Sequence, residues 1–231
     1  MVFGVFLAFQ ITAWNDARID REQERDLLIR LHEDIQESIA GQTRDINFLD
    51  AQLADQAVIL ASLDACAVTP DNSEAFQRGI NTLSYINPPR LYRRTVDELA
   101  AAGKIDLLQN EALKAELAGI VALVEWRGGG FDQVARLTEH YRFNVEDRVR
   151  YDLQRIYPDP FIGDFIGVDY DIAALCKQPI VASAISATSL STRDRRNAYQ
   201  PILDGYHAFL PMIEDELRTR WSVNTAKAPA P

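Results

Sequence analysis

Leu28, Ile35, Leu49 and Leu63 fall on one seven-residue register, and Ile39, Ile46, Leu53 and Leu60 on the register four residues further on. This is an apolar stripe at helical period, and it predicts a single helix of up to about fifty residues after Asn15. Gln42 and Gln56 interrupt the stripe at core-type positions and Gly41 weakens its middle, which makes 41–44 the place for a kink. Pro70 ends the pattern. Asp71, Asn72 or Ser73 is placed to cap a short helix that stops before "NPPR" at 87–90. "RRTVDELAAAG" predicts a third helix stopped by Gly103, with Ile105, Leu107 and Leu108 turned inward after it, and "NEALKAELAGIVALVEW" a fourth capped by Asn110. The glycines of "RGGG" at 127–130 permit a tight reversal into a helix that carries Phe131, Val134, Leu137, Tyr141, Val145, Val149 and Leu153 on one stripe. An irregular stretch, "PDPFIGDFIGVDYD", leads to one or two helices within 171–190 and a last one from Ser191 to Trp221. No alternating run of strand length stands out, so the expected class is all-α, a helical bundle built on the long N-terminal helix.

The head of the chain differs from everything after it. "VFGVFLAFQITAW", from Val2 to Trp14, carries no charge, and as a helix it covers roughly 20 Å of a hydrocarbon core about 30 Å thick. No basic residue precedes Arg18 and "QITAWNDAR" makes a poor cleavage site, so a cleaved secretory signal does not fit. A helix buried in the protein's own core is the plain alternative for an apolar run of this length. The switch at Trp14 and Asn15, an amphipathic aromatic followed at once by charge, is instead the pattern of a membrane interface. The preferred organisation is therefore residues 1–14 as the C-terminal part of a transmembrane helix, 15–221 as an α-helical domain and 222–231 as a disordered tail.

Two blocks carry a resemblance. The opening, with Gln10, Trp14, Asn15, Arg18, Leu28, Leu31 and Asp34, and the later "TVDELAAAGKIDLLQNEALKAEL", with Glu98, Leu99, Ala101, Ala102, Gly103, Asn110 and Leu113, resemble the DUF6090-type family of uncharacterised bacterial single-span membrane proteins. The resemblance implies a basic and then apolar stretch ahead of the first block. It also implies a single pass through the bacterial inner membrane and a soluble domain on the periplasmic side. It brings no activity with it.

Charge and candidate chemistry narrow the rest. A net charge of −10 and a pI near 4.8 argue against nucleic acid, which is bound through clustered Lys and Arg. Twelve acids and five arginines between 15 and 64 concentrate the negative charge on the first helix, read as a solvated face with pairs such as Asp26 to Arg30. Cys66 and Cys176 are candidates for one disulfide if the domain faces an oxidising space. His32, His140 and His207 stand singly and match no metal-ligand spacing, and "EWRGGGF" lacks the ending of a phosphate loop, so no metal or cofactor is expected. Glu33 with Asp34, and Asp97 with Glu98, diverge by about 100° on a helix and are read as surface acids. The serines of 183–192 lack a nucleophile elbow and are read as a close-packing helix face. Tyr157, Phe161, Phe165 and Tyr170, in the irregular stretch, form the candidate recognition loop, set against the plainer reading that they plug the end of the bundle. The leading function is a non-enzymatic membrane-anchored module that holds a protein partner or further copies of itself, with the lipid bilayer contacted through the first helix. The alternative is a small-ligand receptor or enzyme whose site lies between helices.

Overall fold

The computed structural model of the chain describes residues 2–102, 105–223 and 225, with side chains throughout except at 2–9, 102, 132 and 133. Its architecture is helical with one small hairpin: α1 (Val2–Ala65), α2 (Pro70–Thr82), α3 (Arg94–Ala102), a 3-10 turn (Ile105–Leu107), α4 (Glu111–Gly129), α5 (Phe131–Glu146), β1 (Arg150–Asp159), β2 (Gly163–Asp169), α6 (Ile172–Leu175) and α7 (Pro179–Trp221). The chain divides into two compact units. The first comprises Met1–Gly41, Arg90–Val124 and Ile202–Pro231, the second Gln42–Pro89 and Glu125–Pro201.

In the first unit Leu31 and Ile35 of α1, Leu99 of α3, Leu117 of α4 and Phe209 and Ile213 of α7 share one apolar core. Removing each such side chain from water contributes about 1.5–3 kcal/mol, which is what holds four helices of mixed propensity together. Polar side chains on α1 then fix the chain segments that cross it. Asp34 accepts hydrogen bonds from the Thr95 amide (2.8 Å) and Arg94 Nη2 (2.8 Å) and so caps α3 from another element, while Ser38 Oγ accepts from the Tyr92 amide at 2.9 Å. Asn110 Oδ1 accepts from the amides of Ala112 (3.0 Å) and Leu113 (3.2 Å), the N-cap geometry that starts α4. Gly103, expected to end α3, lies outside the described residues. Of the three residues expected to turn inward after it, Leu108 is buried and Leu107 packs on the core, but Ile105 is 42% exposed. The 3-10 turn leaves Ile105 on its outer side and delivers Leu108, whose amide bonds Ile105 O at 3.2 Å, into the core.

The second unit has its own core of Ile59, Leu63, Phe76, Ile80, Val181 and Ile185. α1 ends there on Cys66, whose φ of 52° is left-handed; the Cys66 amide bonds Leu63 O and the Ala67 amide bonds Ser62 O, a Schellman closure. Cys66 and Cys176 form a disulfide, with Cα atoms 5.4 Å apart. The N-cap of α2 is Thr69 and not Asp71, Asn72 or Ser73, because Pro70 sits at N1, where its fixed φ suits a helix and its missing N–H leaves nothing unsatisfied. Gly79 lets α2 approach α1: a Cβ there would lie 2.7 Å from Ile59 Cδ1 and 3.1 Å from Asp55 Cβ.

The hairpin corrects two expectations. The helix begun at Phe131 stops at Glu146, and the supposedly irregular stretch is largely an antiparallel pair, with Arg150 opposite Asp169, Tyr157 opposite Phe165 and a bulge between Asp152 and Ile156. Asp159 Oδ1 accepts from the amides of Phe161 (2.8 Å) and Ile162 (3.0 Å), and Gly163 turns the chain at φ +83°. Two side chains of α2 satisfy the outer edge of β2. Asn81 bonds both Ile166 O (2.7 Å) and Ile166 N (3.2 Å), and Gln77 Oε1 accepts from the Val168 amide at 3.0 Å. A two-stranded ribbon is marginal alone, and these bonds with Phe165 and Val168 buried beneath supply what it lacks. Two further differences concern the helices. α7 is continuous from Pro179, so 179–190 belongs to the last helix, and Gly130 between α4 and α5 has right-handed angles (φ −84°, ψ −6°).

Candidate functional site

A cavity of about 850 Å³ opens within the second unit between the end of α4, α5 and the first half of α7. Its wall is aromatic and aliphatic, with Trp126, Phe131, Val134, Leu137, Tyr141 and Leu190. Trp126 (68%), Leu137 (49%) and Leu190 (58%) are large apolar side chains left open to solvent along it. They fall on the faces of α4, α5 and α7 that the core of the unit does not use. Three glycines at 128–130 help to keep the α4–α5 junction bare, since a Cβ at any of them would meet nothing within 4 Å.

Arg195, on α7, borders the same cavity and is only 6% exposed. Its Nη1 donates to Tyr85 O (3.4 Å) and its Nη2 to Gln52 Oε1 (3.3 Å) and Thr192 Oγ1 (3.1 Å), all neutral acceptors at long range. Its Nε has no hydrogen-bond partner, and among the described residues no carboxylate lies within ion-pair distance of it. Burial pulls its pKa down, opposed by Tyr199 alone. Arg127, whose guanidinium lies 4.3 Å over the Trp126 ring, also borders the cavity with an unpartnered buried Nε. Arg78, by contrast, is matched: its Nε and Nη2 hold both oxygens of Asp55 at 2.7 Å. Burial pushes Asp55 above the usual carboxylate range, aided by Asp159 and Glu74 and opposed by Arg78.

The residues singled out by sequence sit elsewhere. Of the four aromatics, Phe165 is buried and stacked on Tyr157 at 5.0 Å, Phe161, still exposed, rests against Phe48 at 5.9 Å, and the half-buried Tyr170 against Phe76 at 4.6 Å, so each has a ring partner. Asp34 is fully buried, which corrects its reading as a surface acid; Glu33, Asp97 and Glu98 are exposed. Arg30 pairs with Glu98 and not Asp26, which neighbours Arg25 instead. His32 is buried 3.2 Å from Glu214, whereas His140 and His207 are exposed. Thr188, Ser189 and Thr192 bond back to carbonyls four residues earlier, which occupies three of the six hydroxyls of that cluster. Trp14 is 65% exposed and Asn15 is exposed on the open first turns of α1. Among the described residues no group of three or more His, Cys, Asp or Glu could hold a metal ion.

Sequence reasoning missed Arg195 because "STRDRRNAY" looks like any charged helical surface, and missed Trp126 because it lies next to the glycine run read only as a turn. The one available signal was an aromatic, arginine and glycine cluster at 126–131 combined with a second arginine cluster at 193–196. Comparison with family profiles, with curated proteins and with solved structures finds no match to this chain.

Proposed function

We propose that the chain is a membrane-tethered, non-enzymatic helical module whose first helix enters the bilayer at Trp14 and whose folded units stand on the extracytoplasmic side, where they engage a protein partner or a second copy. One observation carries this reading. α1 runs unbroken from Val2, yet every residue from Gln10 to Gln23 is exposed, including Ile11 at 59% and Trp14 at 65%. Most helical stability comes from packing an apolar face, and a stretch that leaves Ile11 and Trp14 exposed is suited to a lipid or protein environment. Among the described residues no single helix is long and apolar enough to cross a membrane. The proposed span therefore draws on the apolar residues from Val2 onward and any that precede them in the natural gene product. The disulfide supports the extracytoplasmic side, since such bonds persist where the medium is oxidising. The resemblance to DUF6090-type proteins agrees with a single-pass inner-membrane topology. The test is fractionation of the natural gene product. We expect it in membranes after a carbonate wash, and recovery in the supernatant would defeat the reading.

A second reading, a small-ligand receptor, is favoured by the cavity, whose volume falls within the range typical of ligand sites. The two are compatible, because a tethered module can also hold a ligand.

A further inference from the structure

Taking up the receptor reading, we propose that the cavity of the second unit binds a single-tailed amphipathic carboxylate, its head on Arg195 and its tail along Trp126, Phe131, Val134, Leu137 and Leu190. The charge argument comes first. A guanidinium stays protonated even when burial opposes it, so Arg195 is a buried cation. Burying an ion without a counter-charge costs several kcal/mol, and three long hydrogen bonds to neutral oxygens compensate only part of that. The same unit matches Arg78 to Asp55 and Arg196 to Asp50, whereas Arg195, the more deeply buried, has no carboxylate to meet it. The Nε–H has no partner, and a planar carboxylate that meets it completes a forked pair by displacing one of the two long Nη2 bonds.

The remaining walls select the body of the ligand. Apolar side chains on three helices offer nothing to a sugar or a polyphosphate. Glu125 and Asp194 border the cavity as exposed residues, so a second negative charge near the opening would be repelled. One anionic head at the buried end and an apolar chain toward the mouth satisfy every wall. Arg127 over Trp126 gives the tail a flat flank.

The test is calorimetric titration of the purified chain with decanoate, 1-decanol and decyltrimethylammonium, each below its micellar concentration. Decanoate should bind about tenfold or more tighter than decanol, the difference expected for a charge-assisted pair. In Arg195→Met that preference should vanish while decanol affinity stays within about twofold. Replacing an uncompensated buried charge by an apolar side chain should leave the fold intact or steadier. If the Met variant does not fold, two others carry the test. Arg195→Lys keeps the charge without the fork and should retain only part of the preference. Leu190→Asn, at an exposed wall position, should weaken decanoate and decanol alike. Equal affinity for decanoate and decanol in the parent protein would overturn the anion assignment and leave a neutral-ligand receptor. Binding of none of the three, or tightest binding of the cation, would overturn the receptor reading as well, whatever the outcome of membrane fractionation.

Discussion

Each unit carries an arginine at a cleft, and the two are treated in opposite ways. In the first unit a cleft of about 550 Å³ is bordered by Arg30, which is half exposed and paired with Glu98. In the second, Arg195 is buried beside a larger cavity with no carboxylate among the described residues at ion-pair distance. A half-exposed ion pair in water is worth little and recruits nothing, whereas an unmatched buried cation is an unfilled requirement. The contrast extends to the interiors. The first unit closes on a continuous core of Leu, Ile, Val and Phe, while the second relies on a disulfide, a hairpin held by side chains and buried glutamines. Both units have an apolar core, and the second adds to its own a few specific long-range links beside an open cavity.

The sharpest way to break that contrast is to remove the disulfide. Cys66 and Cys176 are 110 residues apart, and in the chain-entropy model a closed loop of that length contributes about 5 kcal/mol. Reduction, or Cys66→Ala with Cys176→Ala, should lower stability by an amount approaching that figure. Hydrogen exchange should locate the loss in α2, the hairpin and the start of α7, with the amides of α3 and the second half of α7 unchanged. Equal loosening of both units would mean that the distinction between them has no energetic content.

Much of the fold was legible, and what was not has a common cause. Leu28, Ile35, Leu49 and Leu63 are buried as the stripe required. A second fully buried row of α1, however, lies three residues on, through Leu31, Ser38, Asp45, Gln52 and Ile59, while of the expected row only Ile46 is buried and Ile39, Leu53 and Leu60 are partly so. Hydrophobic periodicity cannot see a row whose middle members are polar. Those residues are inside because they bond backbone and loop groups: Ser38 to Tyr92, Gln52 to Thr82 O, Asp45 to Asn87. The hairpin was hidden in the same way. Val149 and Leu153 keep helical spacing, but Leu153 and Ile156 face solvent at 72% and 61%, and what holds β2 is Gln77 and Asn81 ninety residues away. Arg195 is a contact of this long-range kind too, so no local pattern announced it.

A pair of acids on α1 gives a second, smaller test. Asp34 in the first unit and Asp55 in the second are both buried and both held by arginine, but their pKa values move apart. Burial pushes Asp34 up, yet hydrogen bonds from Arg94 and Thr95 outweigh it and hold the carboxyl below its ordinary 3.8. For Asp55 burial prevails, with Asp159 and Glu74 adding to it. A lowered native pKa contributes stability that is present above the ordinary value and fades as pH falls through the native one. A raised native pKa contributes at low pH and fades as pH climbs past the ordinary value. Asp34→Asn should therefore cost about 1–3 kcal/mol near neutrality and less at pH 3, because an amide cannot reproduce the charge-assisted bonds. The penalty of Asp55→Asn should instead shrink as pH rises above 3.8. Urea unfolding of both variants between pH 3 and 7 measures this, and parallel pH profiles would remove the electrostatic difference between the units.

The smallest expected effect concerns the corner that opens α4. Asn110 Oδ1 takes the Ala112 and Leu113 amides, two of the four donors that a helix start leaves without partners, and its Nδ2 donates to Glu216 at 2.7 Å. The side chain thus starts one helix of the first unit and ties it to another, α7. Asn110→Ala should cost about 1 kcal/mol through the lost cap. Asn110→Asp keeps the acceptor and places a charge favourably at the helix N-terminus, but turns the Glu216 contact from a bond into a repulsion. If capping dominates, Asp should be more stable than Ala; if the tie to α7 dominates, Asp should be the worse of the two. Thermal melts of the three proteins decide which. The second outcome would show that the first unit also depends on a specific polar link, and would narrow the difference between the two units from the opposite side.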